Sequence, residues 1–590
     1  MSDTIGIFVA WPYANGDLHL GHVAGAYLPA DVFARYHRLK GNRVLMVSGS
    51  DTHGTPITVQ AKEEGVTPRA VFERYHHQFL KGWQGLGITF DLYTHTDTEN
   101  HHAIAQSIFR KLYEQEDLYV ATEKQLYDEQ AGQFLADRYV EGTCPYCGFE
   151  NARGDQCDNC GRTLDAPELK NPRSRLSGTT PVIRESEHFF INLPAYAEEL
   201  RQYIEAQEHW RPTVRNFVLA WLKEGLKPRS MTRDLGWGIP SPVEGWEQKV
   251  MYVWFEAVIG YLSGSIEWAK NQGTPEAWEK WWKDKEARTY YFIGKDNTPF
   301  HTVLWVTELL GYDRELNIPY DVPANEFLNL EGQQFSKSRR WAIWLPDFLE
   351  RYDPDPLRYY LTAIAPETKD ADFTWDGFVT RNNSELIAAW GNLANRVLSF
   401  AHKRYDGKVP VPQALDKRDK ELLQTIEQGF ESVGALYEQV RLRDALKEAM
   451  SLAREVNRYL DEKAPWKAIK EDPGAAGTSV YVALRAIDSL KIILAPVLPH
   501  TSQQLHEFFG YQEPLFGQQR EVHYEEATRG HDAVIYEPTE AEQGSKNRWK
   551  LSTLQPGTPI QPPTPLFKIL DEAIIEEEVQ RLGTDDIVIR

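Results

Sequence analysis

Residues 4–50 constrain this chain more than anything that follows. Thr4 to Ala10 is a short apolar run rich in β-branched residues, and Pro12 stops it, which predicts a buried strand ending at Trp11-Pro12. Asn15-Gly16 supplies a turn. From there Val23, Tyr27, Ala30, Val32, Phe33, Tyr36 and Leu39 recur at roughly helical spacing, so a helix starts at about His22. Arg43 to Val47 is a second strand-like run, which makes the opening a β-α-β unit with His19 and His22 at the mouth of its helix, beside Gly21. Free backbone N–H groups and the positive end of the helix dipole point there, a setting suited to a triphosphate. A lone histidine in this place reads as a cap. Two of them between strand and helix point to nucleotide chemistry.

At 590 residues the chain is too long for one hydrophobic core, and about three to five domains are expected. No apolar run reaches membrane-spanning length and the first residues lead straight into a strand, so a soluble, untargeted chain without a membrane partner is expected. The net charge of −21 argues against wholesale nucleic-acid binding and leaves room only for patch-wise contacts. All four cysteines lie between 144 and 160, which rules out a disulfide framework along the chain and fits a reducing cytoplasm.

Those cysteines form two Cys-x-x-Cys pairs, Cys144/Cys147 and Cys157/Cys160, each followed directly by Gly. This is the spacing of a two-knuckle tetrahedral thiolate site. Zinc is the first expectation, rubredoxin-like iron the second and a pair of disulfides the third. Four thiolates leave no open coordination position, so the metal would be structural, holding a polar insertion that lacks apolar residues for its own core.

Further along, Pro68 to Leu86 and Glu99 to Glu116 read as amphipathic helices. Asp234 to Pro242 is a Gly/Pro loop, and Lys249 to Tyr261 reads as a return of strand chemistry. Its aromatic residues line either an apolar pocket or plain core. Thr289 to Asp296 is another short buried strand, and Pro299 to Leu310 reads as a helix with His301 and Trp305 on one face. Ile318 to Leu330 offers a further strand. Glu331 to Arg340 is a basic loop carrying Ser336-Lys337-Ser338, either functional or merely solvated. From Ser384 the pattern reads as helical throughout, a bundle, and Leu554 to Pro565 reads as a linker to a final short acidic helix.

Taken in order, Pro12-Tyr-Ala-Asn-Gly-Asp-Leu-His-Leu-Gly-His22, Ser50-Asp-Thr-His-Gly-Thr-Pro56, the four-Cys knuckle and Phe292-Ile-Gly-Lys-Asp296 form one pattern. From residue 5 to about residue 510 the chain resembles the methionyl-tRNA synthetases, which are class I aminoacyl-tRNA synthetases. The resemblance implies an α/β Rossmann-like catalytic domain, a parallel sheet in two halves (1–116 and 241–330), split by a connective insertion (117–240) with a zinc knuckle at 144–160. It also implies a Ser-Lys-Ser loop and linking segment (331–383), a helical anticodon-binding domain (384–545) and a C-terminal linker and short helix (546–590). The activity implied is ATP-dependent formation of methionyl-adenylate, with Mg²⁺ accompanying ATP, then transfer of methionine to tRNA(Met), the initiator included.

By the same resemblance His19, His22 and Lys337 serve the chemistry, and Gly21, Lys295 and Asp296 lie beside ATP. Methionine is expected against Tyr13, Asp51, Trp254, Ala257, Tyr261, His301 and Trp305, with Asp51 taking its amino group. Asn392, Arg396 and Trp466 match the positions that read the anticodon, although Trp466 also suits plain packing. The chain departs from the family pattern at Trp11, Val258 and Asn297 around the pocket, and at Gln334 and Phe335 where the Lys-Met-Ser-Lys-Ser signature begins. One of two loop cations is thereby missing. The oligonucleotide-binding barrel that some relatives append is not seen, which favours a monomer. A small-molecule adenylyltransferase would share the histidine pair but need neither knuckle nor bundle.

Overall fold

The computed structural model describes residues 2–136, 139–157, 159–337 and 339–584. Its centre is a seven-stranded sheet built from β1 (Thr4–Val9), β2 (Arg43–Ser50), β3 (Leu92–His95), β4 (Arg288–Gly294), β5 (Ala324–Asn325), β6 (Gln518–Glu525) and β7 (Gly530–Glu537), in the order β5-β4-β1-β2-β3-β7-β6. The five strands from β5 to β3 run parallel, with Phe8 level with both Val47 and Tyr291. Such strands are covered on both faces, so their sequences are apolar at nearly every position. Ile5, Ile7, Val9 and Met46 face one core, while Phe8, Leu45, Val47 and Tyr291 face the other. The chain passes from Leu20–His22 through a π turn, Val23–Tyr27, into the helix Leu28–Lys40.

Between the two halves, Leu118–Asp128 and Val182–Ile191 pair antiparallel, with Leu118 opposite Ile191 and Tyr127 opposite Val182. They are the central pair of a four-stranded sheet, flanked by Arg229–Ser230 and Gln133–Phe134, and the four-Cys segment lies between them in the chain. Lys417–Glu438, Leu442–Lys463 and Pro473–Leu494 pack as a helical bundle whose apolar side is continuous with the core under β1. Tyr36 stacks on Tyr437 at 5.1 Å, and buried Arg358 donates to Asp31 at 2.6 Å. Among the described residues no helix is long and apolar enough to cross a membrane.

Four expectations need correcting. Lys249 to Tyr261 is mostly helix: after the two-residue strand Val250–Met251 the chain forms Val253–Asn271. Phe255 through Ser265 are all buried, so apolar residues occupy every face and the helical period disappears from the sequence. The 384–545 segment is not helical throughout, because β6 and β7 form a hairpin that joins the parallel sheet at β3, with Val534 opposite Tyr93. Polar residues fill β6, whose pattern is largely exposed, and this hid the strand. Ile318 to Leu330 supplies two short strands, β5 and Leu328–Leu330, in different sheets. Leu554 to Pro565 has no regular structure, yet it is an ordered strap: Leu554 and Ile560 are buried, and Ile560 N–H donates to Gly407 O at 2.8 Å. The short helix Ala573–Arg581 follows.

Candidate active site

A cleft of ≈ 390 Å³ opens where β1 and β4 end. This is the edge at which parallel α/β sheets present their loops to ligands. Tyr13, His19, Gly21, His22, Trp254 and Asp296 line it, together with Trp11, Gln156, Asn297, Gln334 and Phe335. Asp51 lies behind this lining, 2% exposed, tied to Tyr13 by backbone pairing. Asp51 N–H donates to Pro12 O at 2.8 Å and Ala14 N–H to Asp51 O at 2.9 Å, so Tyr13 and Asp51 stand side by side.

His19 and His22 stack with ring centroids 3.7 Å apart, and Phe335 stacks on the other face of His19 at 4.7 Å. The loop arrives there because the segment after it is tied down. Leu20 N–H donates to Ile343 O at 3.1 Å and Leu345 N–H to Leu18 O at 2.8 Å. Gly16 and Gly21 leave room for this closure: a Cβ on Gly16 would displace the end of the Lys337 side chain, and one on Gly21 would come within 2.9 Å of the His19 ring and 3.3 Å of Phe335. Lys337 is thus brought to the histidines. Ser338 lies outside the described residues.

Both histidines keep some surface on the cleft, yet protein crowds their ring nitrogens. Burial, with Lys337 adding to it, holds His22 down to about 3, and burial, with His22 and Lys337 adjoining, holds His19 well below the usual range. They are therefore neutral donors. His22 Nδ1 accepts the His19 backbone N–H at 3.2 Å, which leaves the proton on Nε2. His19 Nδ1 is buried with no hydrogen-bond partner.

The remaining expected residues fall into three groups. Ala257, Tyr261, His301 and Trp305 are buried; the Tyr261 hydroxyl lies 2.6 Å from His301 Nε2, and the Trp305 indole donates to Tyr291 at 3.1 Å. They do not line the open cleft. The Trp11 ring lies between it and them, in a slot that exists because Gly49 and Gly260 carry no side chains. Lys295 lies at the edge of the cleft, in an adjoining cavity that shares Gln156 and Asp296 with it, and pairs with the cleft-lining Glu326 at 2.7 Å and with Asp370 at 2.9 Å. In the bundle, Arg396 sits 4.5 Å over Trp466, and the two line a cavity of ≈ 640 Å³ with Lys403 and Arg404. Asn392 lies exposed one helical turn before Arg396.

The four cysteine sulfurs lie within 4.8 Å of one another, with Cys147 and Cys157 3.6 Å apart. Tetrahedral metal–sulfur bonds of about 2.3 Å require sulfurs about 3.8 Å apart, so the set fits a metal. The two knuckles repeat one turn. In each the first Cys N–H donates to the carbonyl five residues on and its own carbonyl accepts from the following Gly, at φ 77° for Gly148 and 68° for Gly161. Only glycine adopts that conformation cheaply.

A family model described as class I tRNA synthetases (M) matches residues 5–398, and one described as the anticodon binding domain of methionyl tRNA ligase matches residues 409–586. The chain belongs to the class I methionyl-tRNA synthetases. It is 63% identical over 584 residues to methionine–tRNA ligase of Thermomicrobium roseum, covering 99% of each chain, and 53% identical to that of Roseiflexus castenholzii at the same coverage. Mycobacterium tuberculosis methionyl-tRNA synthetase bound by methionyl-adenylate shares the fold at a TM-score of 0.75 and 24% identity, covering 96% of this chain and 100% of that one. As a member of this family the chain is a ligase that activates methionine and charges tRNA.

Two features of the site were not singled out in the sequence. Gln156, between the knuckle cysteines, lines the cleft and donates to Asp296 O at 3.4 Å. Glu256 lies fully buried behind Asp51 among histidines. A carboxylate inside an apolar run was the signal for Glu256, since such groups are buried only with partners.

Proposed function

We propose that Asp51 and Tyr13 hold the amino end of methionine while His19 and His22 hold ATP, so that the carboxylate meets the α-phosphate between them. The thioether lies against Trp254 and Trp11, with Ala257, Tyr261, His301 and Trp305 as the deeper wall; sulfur against aromatic rings is favourable and adaptable. As the carboxylate attacks, negative charge spreads over the phosphate. Neutral N–H donors on His19 and His22 and the cation of Lys337 then gain strength without reorganising. Magnesium bound with ATP would supply charge neutralisation on the phosphates. Pyrophosphate leaves toward Lys337, beside Gly21 and Asp296, and Lys295 orders the acidic side of the ATP site. In the second step a hydroxyl of the terminal adenosine of tRNA(Met), initiator included, attacks the methionyl carbonyl of the adenylate, and AMP leaves.

The observation that carries this reading is the closure of Phe335 and Lys337 over the histidine pair across two glycines. The bundle cavity supports anticodon reading by Asn392, Arg396 and Trp466, through stacking and hydrogen bonds to unpaired bases. The four thiolates suit zinc in a purely structural role. A monomer in a reducing cytoplasm is consistent with four unbridged cysteines. Pyrophosphate exchange into ATP across a panel of amino acids tests the whole. Methionine alone should drive exchange; exchange with another amino acid in its place would reject the pocket.

A further inference from the structure

Behind Asp51 lies a buried chain of alternating charges that ends on the C-terminal hairpin. Asp51 Oδ1 accepts the backbone N–H of His53 at 3.2 Å. The His53 ring lies between two carboxylates, with Nδ1 2.8 Å from Glu256 Oε1 and Nε2 3.5 Å from Asp97 Oδ1. Glu256 Oε2 in turn meets His101 at 2.8 Å, and His101 meets Ser263 at 2.8 Å. Asp97 receives Arg69 at 2.6 Å and Arg529 at 2.8 Å, and His102 lies 3.1 Å away. Arg529 also donates to the Asp97 carbonyl at 2.7 Å.

Arg529 comes from the turn between β6 and β7, 432 residues along the chain from Asp97. The turn is firmly seated. Thr528 N–H donates to the Glu99 carboxylate at 2.7 Å, Glu99 N–H donates to Glu526 at 2.9 Å, and His531 lies 3.0 Å from Glu267 on the Glu256 helix. No part of this contact touches the cleft.

Two buried carboxylates, Asp51 and Glu256, cannot both ionise without a cation between them. His53, held between Glu256 and Asp97, is that cation, and Asp97, itself buried, is kept ionised first by its hydrogen bonds to His102 and His53, with the Arg529 guanidinium adding to them and Arg69 paired beside it. We infer that Arg529 is a positioning residue for the amino-acid site: acting through Asp97 and His53, it sets the ionisation and orientation of Asp51. Burial opposes charge on His53, but Glu256 and Asp97 prevail and hold it up to about 10. Burial and Glu256 push Asp51 up while His53 pulls it down. The methionine ammonium therefore competes with a proton for Asp51, and losing the counter-charge behind His53 favours the proton. The C-terminal segment thereby helps build the methionine site. The inference rests on Asp51 as the partner of the amino group.

The test is pyrophosphate exchange by the full chain from pH 6 to 9, varying methionine at saturating ATP. Arg529→Gln should raise KM for methionine about tenfold, leave KM for ATP and kcat within about twofold, and move the pH profile of kcat/KM for methionine upward by about one unit. Arg529→Lys should restore most of the affinity. Arg520→Gln, which removes an exposed pair with Glu537 on the same hairpin, should change nothing. Unchanged KM for methionine, or equal movement of both KM values and kcat, would overturn the inference. Should Arg529→Gln not fold, Arg69→Gln, which removes the other guanidinium from Asp97, must show the same methionine-only effect, and its failure to do so overturns the inference equally. Asp51→Asn separates the two ideas. A large effect there with a silent Arg529→Gln rejects only the relay, and a silent Asp51→Asn rejects the amino-group reading itself.

Discussion

A pair of histidines and a single one follow neighbouring parallel strands, and the protein treats them oppositely. His19 and His22, beyond β1, have no carboxylate partner; crowding and Lys337 keep them neutral, with His22 at about 3. His53, beyond β2, is more deeply buried, yet Glu256 and Asp97 hold it up to about 10. Burial alone therefore does not decide the charge of an imidazole. Partners do. The difference suits the two substrates. A neutral pair can approach phosphate oxygens without first shedding tightly bound anions, while a charged histidine behind Asp51 lets a second carboxylate stand nearby.

The comparison breaks most visibly where the neutral pair meets the loop. Lys337→Ala or His19→Ala should lower kcat for exchange by 10²–10³, on the order of 3 kcal/mol, with little change in KM for methionine. A drop confined to KM would show that these groups bind reactants without favouring the transition state. Trp466→Ala comes next: losing one stacking partner costs roughly 1–3 kcal/mol, read as a higher KM for tRNA with exchange untouched. If exchange falls too, Trp466 is packing.

The opposed charges also predict opposed pH limits of stability. His22, at about 3, and His301, which burial holds down to about 4, stay neutral in the fold while the unfolded chain protonates near 6.5. Their contribution is present above 6.5 and lost as pH falls toward the folded values, by about 1.4 kcal/mol per pH unit for each group. His53 has the other sign. Its contribution is full below 6.5 and is lost as pH rises through about 10. Tm measured against pH should fall on both sides, and His53→Gln should flatten only the alkaline limb. An unaltered alkaline limb would show that His53 is not held charged.

How much of this was legible depended on whether a signal was local. The strand–turn–helix around His19 and His22 and the paired cysteines are written in adjacent residues, and turn chemistry alone recovers them. The helix Val253–Asn271 was misread because burial on all sides erased its period. The β6–β7 hairpin was missed for the opposite reason, since β6 is too polar to look like a strand and gains its place only by pairing with β7 on the edge of a distant sheet. Glu256, Asp97 and Arg529 come together only in three dimensions, so no spacing announces them.

The smallest expected effect concerns Phe335, which stands where the family signature has Met. Its ring stacks on His19 at an interplanar angle of 13°, so the residue covers the neutral pair with an aromatic face. An aromatic contact of this kind is worth about 0.5–1.5 kcal/mol. Methionine conserves much of the volume and keeps a sulfur–aromatic contact of similar size, so Phe335→Met should change KM for ATP by about twofold or less. Phe335→Ala should remove the cover and raise KM for ATP by about three- to tenfold, leaving methionine binding unchanged because Asp51 and its charged histidine lie on the other strand. Equal values for Met, Ala and Phe at this position would mean that Lys337 alone holds the loop over the phosphates. The absence of the second loop cation, replaced by Gln334, would then be offset by nothing in the stack.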